Sequence, residues 1–109
     1  CTFIGCKNTE IYYYNMIAIT PKPPYYAEIF STIRTNVDEG YNEMVEKMEA
    51  LAKLQNGYLG IESARNDVGI TVSYWKSLDA ILKWKNNAEH TIARKLGKEL
   101  WYKKYQLRI

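Results

Sequence analysis

Hydrophobic and polar residues follow two different periods along the chain, and the switches between them mark the elements. From Tyr25 to Thr35, Ala27, Ile29 and Ile33 fall on one side of an extended strand and Tyr26 and Phe30 on the other. Neither face is purely polar. The period then becomes helical: Tyr41, Met44, Val45, Met48, Leu51 and Ala52 recur at i, i+3, i+4 and i+7. Asn36 or Asp38 is the expected cap of this helix, with Glu39 three residues after Asn36 as a capping box requires. Asn56-Gly57 is its expected stop, because glycine takes the left-handed cap conformation without strain.

Tyr58–Arg65 and Ile70–Trp75 read as two further strands. Between them Asn66-Asp67-Val68-Gly69 is a turn cluster, which predicts an antiparallel hairpin. Ser77 is the expected cap of a second helix with the apolar stripe Leu78, Ile81, Leu82 and Ala88. Asn86-Asn87, weak helix formers, predict a break before a short piece ending at Gly97. Trp101–Ile109 is the last predicted strand.

The resulting order is β-α-β-β-α-β, the ferredoxin-like split βαβ arrangement of an α+β fold. Strands with apolar groups on both sides need both sides covered. The helices cover one, and a second copy's sheet is the simplest cover for the other, which predicts a homodimer. The compact domain is expected over residues 25–109. Ahead of it, Met16-Ile17-Ala18-Ile19-Thr20 reads as a short strand, and Pro21-Lys22-Pro23-Pro24 as an extended link no helix can enter. Residues 1–15 read as an N-terminal extension, with Met16 a natural start.

Composition narrows the class. A chain of 109 residues, 47% hydrophobic and 25% charged, fits one globular domain, and no stretch approaches the roughly 18 apolar residues of a membrane span. Aromatics reach 14%, with 10 Tyr and 3 Trp against 2 Phe, an excess of side chains that bury a ring but keep a polar handle. The net charge of +3 is uneven: from Lys76 onward nine basic residues face three acidic ones, and residues 1–75 are net acidic. These basic residues alternate with apolar ones as on a solvated face, and no nucleic-acid-binding signature accompanies them. Nucleic acid and membrane are therefore not expected partners. Cys1 and Cys6 with a single His are too few for a zinc site, so no metal is expected. A reducing cytoplasm is the expected location.

Motifs for phosphate, dinucleotide, nucleophile-elbow or metal chemistry are absent. One constellation remains, Trp84-Lys85-Asn86-Asn87-Ala88-Glu89-His90 with Arg94 beyond it. Trp84 falls on the shoulder of the second helix's apolar stripe, a position that suits either the edge of a core or a pocket wall. His90 is the natural general base, being the side chain that titrates near neutrality, although a solvated surface histidine fits the same position.

Tyr25-Tyr26-Ala27-Glu28-Ile29-Phe30, Gly60-Ile61-Glu62-Ser63-Ala64-Arg65, Gly69-Ile70-Thr71-Val72-Ser73-Tyr74-Trp75 and Trp84…Asn87-Ala88-Glu89-His90 together resemble the antibiotic biosynthesis monooxygenase (ABM) domain family. The likeness is strongest to its small bacterial branch and covers about residues 16–109. It implies a dimeric α+β barrel with a pocket in each subunit between sheet and helices. It also implies a cofactor-independent monooxygenase of a small aromatic or quinol-like substrate, in which a deprotonated phenol itself reduces dioxygen. In that reading His90 is the base and Trp84 a second catalytic residue, Trp84 and Tyr74 line the pocket, and Tyr74, Asn87 and Arg94 contact substrate. Other relatives degrade haem with an Asn-Trp-His set. Trp84 matches its Trp, but Arg94 stands where the His is expected, and residues 25–34 contain no Asn. No cofactor is therefore expected, with haem on His90 as the alternative. A small-ligand carrier and a non-catalytic, stress-related dimer are the rival functions.

Overall fold

The computed structural model describes residues 16–91 and 100–109, the side chains of 88–91 excepted. Its elements run β1 (Tyr26–Arg34), α1 (Tyr41–Lys53), β2 (Tyr58–Arg65), β3 (Gly69–Trp75), α2 (Leu78–Thr91) and β4 (Tyr102–Arg108). The strands form one sheet in the order β2-β3-β1-β4, with each neighbouring pair antiparallel. This is the ferredoxin-like α+β arrangement, because each helix carries the chain past one strand position before it returns to the sheet.

Both helices lie on the same face. Met48, Leu51 and Ala52 of α1 and Ala80, Ile81 and Trp84 of α2 meet Trp75 of β3 in one core. Cross-strand register pairs Glu28 with Ser73, Phe30 with Thr71 and Thr32 with Gly69. Glu28, Thr32, Ser73 and Trp75 are buried, so these alternate positions form the helix-covered side. Ala27, Ile29, Ile33, Ile70, Val72 and Tyr74 project from the other. The more aliphatic side of the sheet is thus the one the helices leave open.

Several expectations need correction. Gly40, in the left-handed region at φ 78°, is the N-cap of α1, and no side chain caps this helix. Asp38 is drawn instead to Arg34 at 3.2 Å, while the carbonyl of Glu39 accepts the indole N–H of Trp101 at 2.9 Å. Ser77 does cap α2, its Oγ accepting the Ala80 N–H at 3.1 Å. The stripe of α2 is rotated from the expected one. Leu78 and Leu82 stay 48% and 53% exposed, while Ala80, Ile81 and Trp84 face inward. The broad contact between the Trp84 and Trp75 rings turns the helix toward its Ala80–Trp84 side. Asn86-Asn87 cause no break, and α2 runs on to Thr91, since packing outweighs a few tenths of a kcal/mol of intrinsic preference. Gly97, Arg94 and residues 1–15 lie outside the described residues.

At its start, β4 begins at Tyr102, one residue later than expected. The carbonyl of Trp101 is taken by the Thr35 N–H at 2.9 Å and by Nε of Arg34 at 3.3 Å. Residues 16–20 form no strand. Their backbone crosses the open side of β2, where the Ala18 N–H donates to Oε2 of Glu62 at 3.0 Å and Ala18 packs over Gly60. Pro23-Pro24 follows in the cis form.

Gly40 gives a direct test of this packing. An alanine there would hold a left-handed backbone and place its Cβ 3.2 Å from Cζ2 of Trp101. Gly40→Ala is expected to cost about 1–2 kcal/mol in urea unfolding.

Candidate functional site

Glu28 is the third residue of β1, on the helix-covered side, and is only 8% exposed. A strand places it there by simple alternation, two residues from Phe30 and four from Thr32. Above it, α2 brings Trp84, whose side chain hydrogen-bonds the carboxyl, and Lys85, whose charge lies close enough to act on it. Burial dominates: it raises the Glu28 pKa from 4.5 to about 7, against the smaller opposing effects of Lys85 and the Trp84 bond. Oε2 of Glu28 is buried and has no hydrogen-bond partner among the described residues. A carboxyl that ionises near neutrality with one oxygen free can accept a proton from a bound hydroxyl and return it.

Trp84 belongs to the core as well as to this site. Its ring stacks on that of Trp75, centroids 5.6 Å apart and planes 23° from parallel. Trp75 is itself fixed by its Nε1 donating to Oγ of Ser73 at 2.8 Å. The Trp84 indole is therefore held rigidly over Glu28.

Further along the same face, Phe30 meets the rings of Tyr102 and Tyr105 at 5.6 and 6.0 Å. Beyond Phe30, Nη2 of Arg65 donates to Oγ1 of Thr32. Tyr102 bonds the Tyr41 hydroxyl, and burial first, then that bond, raise its pKa well above the ordinary phenol value. Arg34 stacks over the Tyr41 ring at 3.3 Å and donates to the carbonyl of Val37 at 2.9 Å. The side of the sheet under the helices thus carries a carboxyl near one end, an aromatic middle and two arginines near the other. Among the described residues no group of three or more His, Cys, Asp or Glu is placed to hold a metal ion. No described helix is long and apolar enough to cross a membrane.

The residues singled out from sequence divide. Trp84 and Asn87 lie one turn apart on α2, Asn87 half-buried. His90 follows on the last turn of α2, its side chain outside the described residues, as is all of Arg94. Tyr74 is not brought to them. It lies on the opposite face of the sheet, where its hydroxyl donates to Oε1 of Glu62 and its ring meets Tyr25 edge-on at 5.8 Å. That bond to Glu62, more than burial, pushes the Tyr74 pKa up to about 12. The reason is alternation: with Trp75 directed into the core, its neighbour must face away. Glu28 and Arg65 were not among the expected site residues. The available signal for Glu28 was an acid within the strand between Tyr26 and Phe30, a place where burial without function is costly.

Glu28 makes stability depend on pH. Its folded pKa lies above its unfolded one, so the folded state binds the extra proton between pH 4.5 and about 7. Its contribution is fully present below pH 4.5 and is lost as pH rises through 7. Glu28→Gln, which keeps an acceptor for Trp84, is expected to be more stable than wild type at pH 8, by about 3 kcal/mol at most. The difference should vanish near pH 4.5. Urea midpoints across this range read it directly.

No family model matches the chain. The uncharacterized protein YqjZ of Bacillus subtilis (strain 168) is 46% identical over 97 residues, which cover 87% of this chain and 85% of YqjZ. Among solved structures, PA3566 from Pseudomonas aeruginosa matches 85% of this chain and 92% of its own, with a TM-score of 0.62 at 13% identity. A Chloroflexus aurantiacus J-10-fl protein, provisionally assigned as an antibiotic biosynthesis monooxygenase, matches 79% of this chain and 92% of its own. Its TM-score is 0.51, again at 13% identity. At that identity these two speak for the fold alone, the ferredoxin-like α+β arrangement described above. By its identity to YqjZ over most of both lengths, the chain belongs to the YqjZ family, whose member here adopts a ferredoxin-like fold.

Proposed function

We propose that this chain is a cofactor-independent monooxygenase that oxidises a small aromatic hydroxyl compound, with Glu28 as the proton acceptor. The observation that carries the reading is the buried Glu28 carboxyl, bonded by Trp84 on the aromatic face beneath the helices and unpartnered at Oε2. The fold shared with the provisionally assigned Chloroflexus monooxygenase supports the same class.

The chemistry needs little from the protein. Glu28 takes the proton of the substrate hydroxyl, and the resulting phenolate passes an electron to dioxygen. Recombination forms a carbon–oxygen bond at the ring and a peroxide. The ring C–H bond at that carbon and the oxygen–oxygen bond then break together, leaving one oxygen as the ring carbonyl and expelling the other as hydroxide, which takes the proton back from Glu28 and leaves as water. Overall, phenol and dioxygen give quinone and water. The Trp84 N–H steadies the ionised carboxyl, and the surrounding aromatic rings keep water from the anion. His90, on the last turn of α2, is a second candidate base, with Asn87 and Arg94 as candidate substrate contacts.

The aliphatic open side of the sheet supports a homodimer of the cytoplasmic protein, with Ala27, Ile29, Ile33, Ile70 and Val72 packing against their equivalents. Light scattering on the eluting protein is expected to give twice the chain mass, and Ile29→Glu to give the monomer. An unchanged dimer in that variant would place the contact elsewhere.

Activity is tested with an oxygen electrode and a panel of hydroxynaphthalenes and hydroanthraquinone-type phenols. Oxygen uptake with quinone formation is expected on at least one. Glu28→Gln should then lower kcat by roughly 10²–10⁴-fold, the range for loss of a general base, with His90→Ala much less affected. The reverse ranking would move the base to His90. Absence of oxygen uptake across the panel would overturn the oxygenase reading.

A further inference from the structure

We propose that Arg65 is an anion-recognition subsite, and that the substrate is a fused aromatic hydroxy acid whose carboxylate binds there while its hydroxyl meets Glu28. This deepens the oxygenase reading and rests on it for the role of Glu28.

The geometry begins with Gly69. Register places it between Arg65 of β2 and Thr32 of β1. A Cβ built on Gly69 would overlap the Arg65 guanidinium, so the missing side chain is what allows Arg65 to lie flat across β3. Its Nη2 then reaches Oγ1 of Thr32, a buried group on the helix-covered side. An arginine ending β2 at the sheet's rim would ordinarily extend into water. This one stays exposed but lies across the backbone of Gly69, so that its guanidinium reaches the edge of the helix-covered side while keeping donors in solvent.

The charge balance separates the two arginines of this end. Arg34 is neutralised by Asp38 at 3.2 Å and spends further N–H groups on the carbonyls of Val37 and Trp101. Arg65 has no carboxylate within ion-pair distance among the described residues. A guanidinium has five N–H donors in a planar fork, and the bond to Thr32 uses one. Both arginines act on the Tyr102 side chain, so they share one corner of this face. A carboxylate is the planar, two-oxygen partner that such a fork fits.

Spacing sets the class of ligand. Glu28 and Thr32 are four residues apart on one strand face, about 13 Å at roughly 3.3 Å per residue. Phe30 lies between them and offers an aromatic edge and face. A hydroxyl at Glu28 and a carboxylate at Arg65 are bridged by two or three fused rings lying over Phe30. A single-ring phenol reaches one end only.

The test compares 6-hydroxy-2-naphthoate with its uncharged carboxamide by isothermal titration. Wild type is expected to bind the acid roughly ten- to a hundredfold more tightly, as for a charge-assisted pair, with the margin shrinking in high salt. Arg65→Gln should abolish the preference, bringing the acid down to about the affinity of the carboxamide. Arg65→Lys, which keeps the charge but loses the fork, should retain part of it. Equal binding of acid and amide by wild type, a preference that survives in folded Arg65→Gln, or no binding of either overturns the subsite. Glu28→Gln keeps the preference if the subsite is right. An Arg65-dependent preference alongside undiminished oxygen uptake in Glu28→Gln upholds the subsite and removes Glu28 as base.

Discussion

The indole of Trp84 ties the structure together by making two contacts of different kinds with one side chain. Its face stacks on Trp75 at 5.6 Å, and its N–H bonds the Glu28 carboxyl. The stack fixes α2 on the sheet and sets the rotation that leaves Leu78 and Leu82 outside. The hydrogen bond places a polar group where a purely apolar core would have none. Core and site are thus not separable here. Any change that releases the stack also releases the donor over Glu28, and α2 loses its registration on β1 and β3 together.

The sheet meets two different environments, and its residues are sorted oppositely to a simple inside–outside rule. Under the helices lie Glu28, Thr32, Ser73 and a set of tyrosines and tryptophans with bonded polar handles. On the uncovered side lie Ala27, Ile29, Ile33, Ile70 and Val72, with exposure left to spare. A fold seeking only its own stability would place the aliphatic set under the helices. Placing polar and aromatic groups there costs desolvation, and is compensated only where each group finds a partner. Trp75 with Ser73, Tyr41 with Tyr102 and Trp101 with Glu39 all do. Glu28 does so with one oxygen alone.

Much of this was legible in the sequence. Period-two and helical patterns mark all six elements, and Tyr58–Arg65 is bounded to the residue, because strong alternation and glycine punctuation act locally. Two-sided apolar strands also carried through to a sheet with aliphatic groups on its open face. What local pattern cannot give is which side of a strand the helices will cover. That choice is made by tertiary packing, through Trp75 and Trp84, and it moved Tyr74 away from the candidate site. The cap of α1 escaped for a similar reason. Asn36 and Asp38 have the right chemistry, but Asp38 is drawn back to Arg34, and the chain enters α1 at Gly40, in a left-handed conformation beside Trp101, which is distant in sequence. Glu28 and Arg65 were hidden because each lies in an ordinary strand run. Only the fold shows that one is buried and that the other, still exposed, lies over Gly69 to reach Thr32.

The two strand carboxylates differ in how completely their oxygens are satisfied. Glu62, on the open side, accepts the Ala18 N–H on one oxygen and the Tyr74 hydroxyl on the other. Both oxygens are occupied, and the donors anchor residues 16–20 and the Tyr74 ring; the chemistry of that carboxylate is spent on holding the chain. Glu28, a few ångströms through the sheet's thickness from that layer, is more deeply buried yet holds one described hydrogen bond from Trp84 and leaves Oε2 open. A carboxyl whose second oxygen has no described partner, and whose pKa is raised toward neutrality by burial, has the two properties that the proposed proton transfer requires. The same strand alternation that gives each acid its face therefore assigns the roles, one closing the outer surface and the other facing the aromatic interior.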